Sequence, residues 1–304
     1  MKATQPDPRE TLVIANVSGG KDSTALSLWL HEQDIEHRRV FADTGWEHPD
    51  TYRYLDSVES VIGPIERIQP LLSMAGLIRK KGMFPGRMHR YCTSELKVRP
   101  LNAYMAQVDP EWRAIVALGI RADESAARAD ALEWEHDGND MERWTWRPLV
   151  RWTLDDVIAI HARHGLAPNP LYLRGASRVG CWPCIHARKS EIRMVADESP
   201  ERIAEIRELE TELGQRRAEK MLDPAYATKA ADKGFIDPTF FSNTKTLVDG
   251  VRKGNAVPID EAVAWSRTAR GGHQVELFDL DPDKGCLRWG LCDTGDRAIG
   301  GADA

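Results

Sequence analysis

The stretch Val13-Ile14-Ala15-Asn16-Val17-Ser18-Gly19-Gly20-Lys21-Asp22-Ser23-Thr24 runs an apolar strand directly into a glycine turn, and Asp22 to Leu30 continue with helical periodicity. Strand, glycine turn and helix start together make a phosphate cradle. The two glycines reach backbone conformations closed to other residues, so successive N–H groups can face one anion while the helix N-terminus adds the positive end of its dipole. Lys21 supplies a mobile positive charge. A Walker A loop would need Gly at Ala15 and Ser or Thr at Asp22, so this is a different phosphate loop. The plainer reading, a glycine-bearing turn with a surface lysine, has the strand before it and the helix after it as evidence against.

Outward from this point, strand and helix alternate. Thr11 to Val17 reads as a strand, Asp22 to Gln33 as a helix, Arg38 to Ala42 as a strand, Asp50 to Val61 as a helix and Ile65 to Ile68 as a short strand. Leu71 to Lys81 and Lys97 to Gln107 read as helices, Ala114 to Leu118 and Thr145 to Leu149 as strands. Leu154 to His164 is a helix with Thr153 as its N-cap. This succession predicts an α/β fold, a doubly wound parallel sheet with ligands at the carboxyl ends of its strands. Asn169 to Cys184, rich in Gly, Pro and Arg, reads as a loop. Pro200 to Met221 is a strong helix with Ile203, Ile206, Leu209 and Leu213 on one stripe, read as packing rather than as a binding face. Beyond Leu222 the pattern weakens, apart from a helix at Asp260 to Arg267. The expected division is a nucleotide-binding domain over 1–198 and a mostly helical extension over 199–304.

A chain of 304 residues with 29% charged and 42% hydrophobic residues can bury a core without disulfides. No window is apolar enough for a membrane span, and the N-terminal residues carry no export signal, so a cytoplasmic location is expected. Five cysteines in a reducing compartment point to metal ligands or catalytic thiols. The net charge of −6 argues against sequence-blind coating of nucleic acid. It leaves room for a local patch. Arg79, Lys80, Lys81, Arg87, Arg90, Lys97 and Arg99 crowd one segment against Glu95, and could bind phosphate or sulfate or form a solvated basic loop.

Two strand ends offer further chemistry. Asp43-Thr44-Gly45 could orient magnesium or a nucleotide hydroxyl, or simply cap a helix. In Gly119-Ile120-Arg121, with Arg128 beyond it, the arginines are fork-shaped donors suited to an anion. Cys181 and Cys184 form a Cys-x-x-Cys clip whose spacing lets two thiolates reach one metal centre.

Ser18-Gly-Gly-Lys-Asp-Ser23 resembles the pyrophosphate loop (PP-loop) of the ATP pyrophosphatases. Several segments in order resemble the phosphoadenosine phosphosulfate reductase family within that superfamily. They are this loop, Asp43-Thr-Gly45 with Pro49-Asp-Thr-Tyr52, Cys92-Thr-Ser-Glu-Leu-Lys97-Val-Arg-Pro100, Gly119-Ile-Arg121 with Glu124-Ser125 and Arg128, Pro148-Leu149 with Trp152-Thr153, and Asn169-Pro-Leu-Tyr172 leading to Gly180-Cys181-Trp-Pro-Cys184. The resemblance implies binding of ATP with Mg2+, or of a related adenylate. Ser18, Gly19, Gly20, Lys21, Asp22 and Ser23 would surround the phosphates, Asp43 would place magnesium or the ribose, and Gly119, Arg121 and Arg128 would serve the second anionic group.

The neighbourhood of Cys92 is similar to the segment where iron–sulfur adenylylsulfate reductases carry adjacent cysteines, but Thr93 stands at the second position. The resemblance therefore implies a 4Fe–4S cluster on Cys92, Cys181, Cys184 and a tail cysteine, Cys292 or Cys286, with zinc, a redox dithiol and inert buried thiols as alternatives. The Glu-Cys-Gly-Leu-His type of motif of the sulfite-forming reductases is missing. Gly290-Leu291-Cys292-Asp293 only faintly echoes it. The Cys92 and Cys181 segments look more like those of cluster-bearing relatives that adenylylate an acceptor and install sulfur, such as the DNA phosphorothioation sulfurtransferases. That branch would bring a nucleic-acid acceptor and a sulfur donor such as a cysteine desulfurase. The other expectations are a sulfite-producing reductase with Cys292 as the attacking thiol, and a non-catalytic nucleotide or nucleic-acid binder.

Overall fold

Both sides of β1 (Val13–Val17) are buried, with Val13, Ala15 and Val17 in one apolar cluster and Ile14 in another. This is why the strand is a continuous apolar run rather than an alternating one, as in parallel sheets covered on both faces. The computed structural model describes residues 4–86, 89–136, 143–232, 237–248 and 251–268. After β1 come α1 (Lys21–Glu32), β2 (His37–Ala42), α2 (Pro49–Ile62), β3 (Glu66–Ile68), α3 (Met74–Lys81), the single turn α4 (Tyr91–Thr93), α5 (Arg99–Val108) and β4 (Ile115–Ala117). Then follow β5 (Trp134–His136), β6 (Trp144–Trp146) and α6 (Leu154–Arg163).

These strands form one sheet in the order β3-β2-β1-β4-β6-β5, parallel except for β5 at the edge. Leu26 and Leu30 of α1, Leu55 and Val58 of α2, and Val157 and Ile160 of α6 cover the Val13 face. Leu101, Met105 and Val108 of α5 cover the other. The sheet is therefore doubly wound, as the sequence predicts. Strand order reverses at β1, with β2 on one side and β4 on the other, and such a reversal opens a crevice at the carboxyl ends of the two diverging strands. The phosphate loop and Gly119-Ile120-Arg121 both leave the sheet there.

Where boundaries differ from expectation, local chemistry explains them. The helix expected from Leu71 starts at Met74, because Ser73 Oγ accepts the Gly76 N–H at 3.2 Å and caps it. The strand expected to reach Leu149 stops at Trp146, two residues before a proline with no N–H for the ladder. Lys97 lies in a π-helical turn, Ser94–Val98, that precedes α5. Thr153 caps α6 as expected, and Asp156 bonds back to the Thr153 N–H at 2.7 Å.

The segment read as a loop from Asn169 contains a short helix, α7 (Pro170–Leu173). It is followed by α8 (Lys189–Glu198), α9 (Pro200–Met221), α10 (Pro224–Asp232), the hairpin β7 (Phe241–Val248) and β8 (Val251–Val257), and α11 (Ile259–Ser266). The Ile203, Ile206, Leu209 and Leu213 stripe of α9 is buried, as its periodicity implies. It shares one apolar cluster with Trp46, Met74 and Ile78 from the sheet domain and with Phe240 and Ile259. This cluster crosses the division expected at 198/199. Among the described residues no helix is long and apolar enough to cross a membrane.

Candidate active site

Gly19 has φ +71°, and a Cβ there would stand 2.7 Å from Thr51 Cγ2, so the loop can turn at this point only as glycine. Gly20 precedes α1 as its N-cap. Ser23 Oγ donates to the Gly20 carbonyl at 3.0 Å and accepts the Ser18 N–H at 3.1 Å, and Ser18 Oγ lies 3.0 Å from it. The loop is thus pulled into a closed curl. Among the described residues the amides of Gly19, Gly20, Asp22 and Ser23 have no hydrogen-bond partner, which leaves them to an anion at the helix start. At Gly119 a Cβ would lie 2.5 Å from the Asp22 carbonyl oxygen. Glycine there lets the end of β4 pass directly against the start of α1.

Lys21 Nζ lies 2.8 Å from Asp22 Oδ2, and Arg121 Nε donates to Asp22 Oδ1 at 2.6 Å. Burial alone would raise the Asp22 carboxyl, but Lys21 and Arg121 outweigh it and hold the group below its ordinary range. Arg121, expected to hold a second anionic group, is buried and committed to Asp22 and Asp123. Its role in this structure is to tie the loop to the β4 end. Arg128, given the same role in the sequence, is exposed and paired with Glu124. Asp43 sits at the end of β2, half-buried, where its Oδ1 accepts the Tyr52 hydroxyl at 2.7 Å and the Gly45 N–H at 3.0 Å. Burial and then Asp43 push the Tyr52 hydroxyl well above its usual range, so it remains a donor.

Beside this crevice is a cavity of about 270 Å³ that brings together Cys92, Cys181 and Cys184, with Arg90, Lys97 and Arg178 also lining it. The wall between cavity and crevice is the turn after β2. Glu47 makes an isolated antiparallel bridge with Cys181, the Trp182 N–H donates to the Trp46 carbonyl at 2.7 Å, and Trp46 Nε1 donates to the Pro183 carbonyl at 3.1 Å. Burial pushes the Cys181 thiol up to about 11, against the pull of Lys97, and raises Cys92 as well. Burial disfavours the Lys97 ammonium, yet Cys181, Glu47, Cys184 and Cys92 outweigh it and raise its pKa. Glu47 itself is buried and accepts from Thr44 Oγ1 at 2.8 Å.

The donor set is thiol-rich, but among the described residues no group of three or more His, Cys, Asp or Glu side chains is arranged to hold a metal ion. Cys286 and Cys292, the expected sources of a further ligand, lie outside the described residues. A redox dithiol normally opens a helix and has a lowered thiol pKa. Here the next helix starts only at Lys189, so the Cys181–Cys184 pair does not open a helix.

The basic segment is neutralised in part. Arg79 pairs with Glu212, and Lys81 and Arg99 both pair with Glu95, while Arg90 and Lys97 line the thiol cavity and Lys80 is exposed. Arg87 lies outside the described residues. Composition showed the cluster of cations but could not show their partners, which come from a distant helix and from an intervening glutamate.

The chain belongs to the phosphoadenosine phosphosulfate reductase domain family, whose pattern it matches over residues 12–187. It is 32% identical to a 37.8 kDa protein in the gpa 5′ region of Escherichia phage 186, over 90% of this chain and 93% of that protein. It is also 32% identical to the adenosine 5′-phosphosulfate reductase of Deinococcus radiodurans, over 49% of this chain and 57% of that enzyme. The phosphate complex of the phosphoadenylyl-sulfate reductase from Candida auris superposes with a TM-score of 0.44 at 19% identity, covering 56% of this chain and 81% of that one.

Proposed function

We propose that the chain is a nucleotide-dependent sulfur-transfer enzyme in which ATP, or a related adenylate, seats its phosphates on Ser18 to Ser23. The observation that carries this reading is the shared wall: the turn from Asp43 to Glu47 borders the phosphate crevice at one end and is bridged to Cys181 at the other. Activation and sulfur chemistry on adjacent faces of one turn suit a two-stage reaction. In the first stage an acceptor oxygen attacks the α-phosphorus of ATP. A P–O bond forms to the acceptor, the bond to the β-phosphate oxygen breaks, and pyrophosphate leaves. Lys21 releases Asp22 and neutralises the charge that develops on the pyrophosphate, while Asp43 positions Mg2+ or the ribose. In the second stage a sulfur nucleophile displaces AMP from the acceptor. A nucleic acid is the proposed acceptor, and a cysteine desulfurase type of protein the proposed sulfur donor.

Cys92, Cys181 and Cys184 are the residues that would hold an iron–sulfur cluster. Three thiols around one cavity beside an ammonium suit a thiolate-bound, negatively charged group. A cluster takes a thiolate at each iron, whereas zinc gathers all its sulfur ligands on one ion at about 2.3 Å. When bound, such a cluster supplies a site for sulfur or for electrons. Lys97 would balance its charge.

Pyrophosphate release from ATP, measured with and without DNA or RNA, tests the first stage. Lys21→Ala should abolish release and ATP binding in calorimetry while the protein still folds. Full activity in that variant would overturn the reading. A second reading, a reductase releasing sulfite, is favoured by the identity to the Deinococcus enzyme. It requires tight binding of a sulfated adenylate and sulfite formation from a thiol, with no ATP consumed.

A further inference from the structure

The segment that carries the thiol clip also grips the phosphate loop from behind. Asn169 is fully buried, and its Nδ2 donates to the Gly19 carbonyl at 3.2 Å while its Oδ1 accepts the Leu171 N–H at 3.0 Å and starts α7. Within α7, the Tyr172 hydroxyl accepts the Lys21 N–H at 3.2 Å. Tyr172 is buried, and the Val179 main chain approaches the same oxygen. A Cβ on Gly20 would come within 3.4 Å of it and 3.8 Å of the Val179 carbonyl oxygen. Val179 is only two residues from Cys181 in the chain, and Cys181 is bridged in turn to Glu47.

We propose that Tyr172 is a positioning residue whose hydroxyl transmits occupancy of the phosphate loop to the Cys181–Cys184 clip, an inference that rests on the nucleotide reading above. An anion on the loop amides fixes Gly20 and Lys21. The Lys21 N–H then fixes the Tyr172 oxygen, and that oxygen fixes Val179 and the start of the clip. The geometry of the thiols is thereby set when the nucleotide is in place. A ligand that merely shielded the clip by lying over it would need no such oxygen, so the two cases separate on removal of a single atom.

Hydrogen exchange of the full-length protein, followed by mass spectrometry with and without ATP, reads both places at once. In the wild type, ATP should slow exchange in the peptides covering 17–24 and 178–186, each by at least about fivefold, the low end of coupling between sites. In Tyr172→Phe, protection at 17–24 should persist and protection at 178–186 should vanish, in a protein that still folds but melts lower because the Lys21 N–H has lost its acceptor. Retention of both protections in Tyr172→Phe, or protection of 17–24 alone in the wild type, would overturn the inference and leave the nucleotide reading standing. No protection at 17–24 in the wild type would overturn the nucleotide reading itself and this inference with it.

Discussion

Arg121 Nε lies 2.6 Å from Asp22 Oδ1, and the two side chains are 4% and 12% exposed. A carboxylate inside the phosphate loop is thus locked to a guanidinium at the end of the neighbouring strand. Removing one partner of a buried pair costs about 3–5 kcal/mol when the other charge is left alone, and less here because Lys21 still lies 2.8 Å from Asp22. Arg121→Met should lower the unfolding free energy by about 1–3 kcal/mol in a urea titration. The double variant Arg121→Met/Asp22→Asn should recover part of the loss, because the carboxylate that faced the guanidinium is gone. A double variant no more stable than the single would place the cost elsewhere.

Glycine-to-alanine changes should split in sign. At Gly119 the added methyl meets backbone atoms of Asp22 and Ser23 at 2.5 to 2.9 Å, which cannot move without shifting α1. Gly119→Ala should cost about 1–3 kcal/mol or more and weaken ATP binding as well. At Gly214, inside α9, a Cβ meets open space. Gly214→Ala should stabilise the protein by about 0.5–1 kcal/mol, since glycine is a poor helix former. Paired thermal melts of the two variants check both signs.

His161 contributes to the acid sensitivity of the sheet domain, alongside His37, which burial also lowers to about 4. Burial lowers its pKa from 6.5 to about 4, against the hydrogen bond its Nδ1 makes with the Val157 carbonyl. The folded pKa lies below the unfolded one, so the fold binds fewer protons between these values. Its contribution to stability is full above pH 6.5 and is lost as the pH falls toward 4. Unfolding free energies measured across that window should fall by on the order of 2–3 kcal/mol from this group, and His161→Gln should flatten the slope. An unchanged slope in the variant would assign the sensitivity to other groups.

Trp46 should matter more to the thiols than to the nucleotide. It is 1% exposed, lies between Phe240 and Arg202, and its Nε1 donates to the Pro183 carbonyl. Trp46→Phe keeps the ring but strands that carbonyl, at a cost of about 1–3 kcal/mol. On the iron–sulfur reading proposed above, iron content after anaerobic purification should drop sharply while ATP affinity stays within about threefold of the wild type. Equal loss of both would mean that the turn acts as one unit.

Much of the fold was legible because it is written in local periodicity. β1, α1, β2 and α2 were all placed within a few residues, and so was the crevice that follows from their alternation. The stripe on α9 gave its buried face correctly. What was not legible depends on distant partners. β5 is three residues long and exists by pairing with β6, where Trp134 stacks on Trp146 with ring centroids 5.0 Å apart. The hairpin of β7 and β8 carries Gly, Asn and Asp, and looks like loop until its strands meet. In the candidate site, residue type and spacing singled out Lys21, Asp22 and the clip cysteines. The partners of Arg121 and the roles of Asn169, Tyr172 and Glu47 come from contacts across the fold. Asn169 and Tyr172 stood in a recognisable string, but nothing in that string says that it touches Gly19 and Lys21.

The antiparallel bridge between Glu47 and Cys181 has a consequence for anyone moving parts between relatives. Main-chain pairing is indifferent to side chains but not to register, so a graft of residues 43–48 into another scaffold arrives without its mate unless residues 181–184 travel with it. Shuffling at either seam alone should break that pairing, and only exchanges that carry both pieces should restore it.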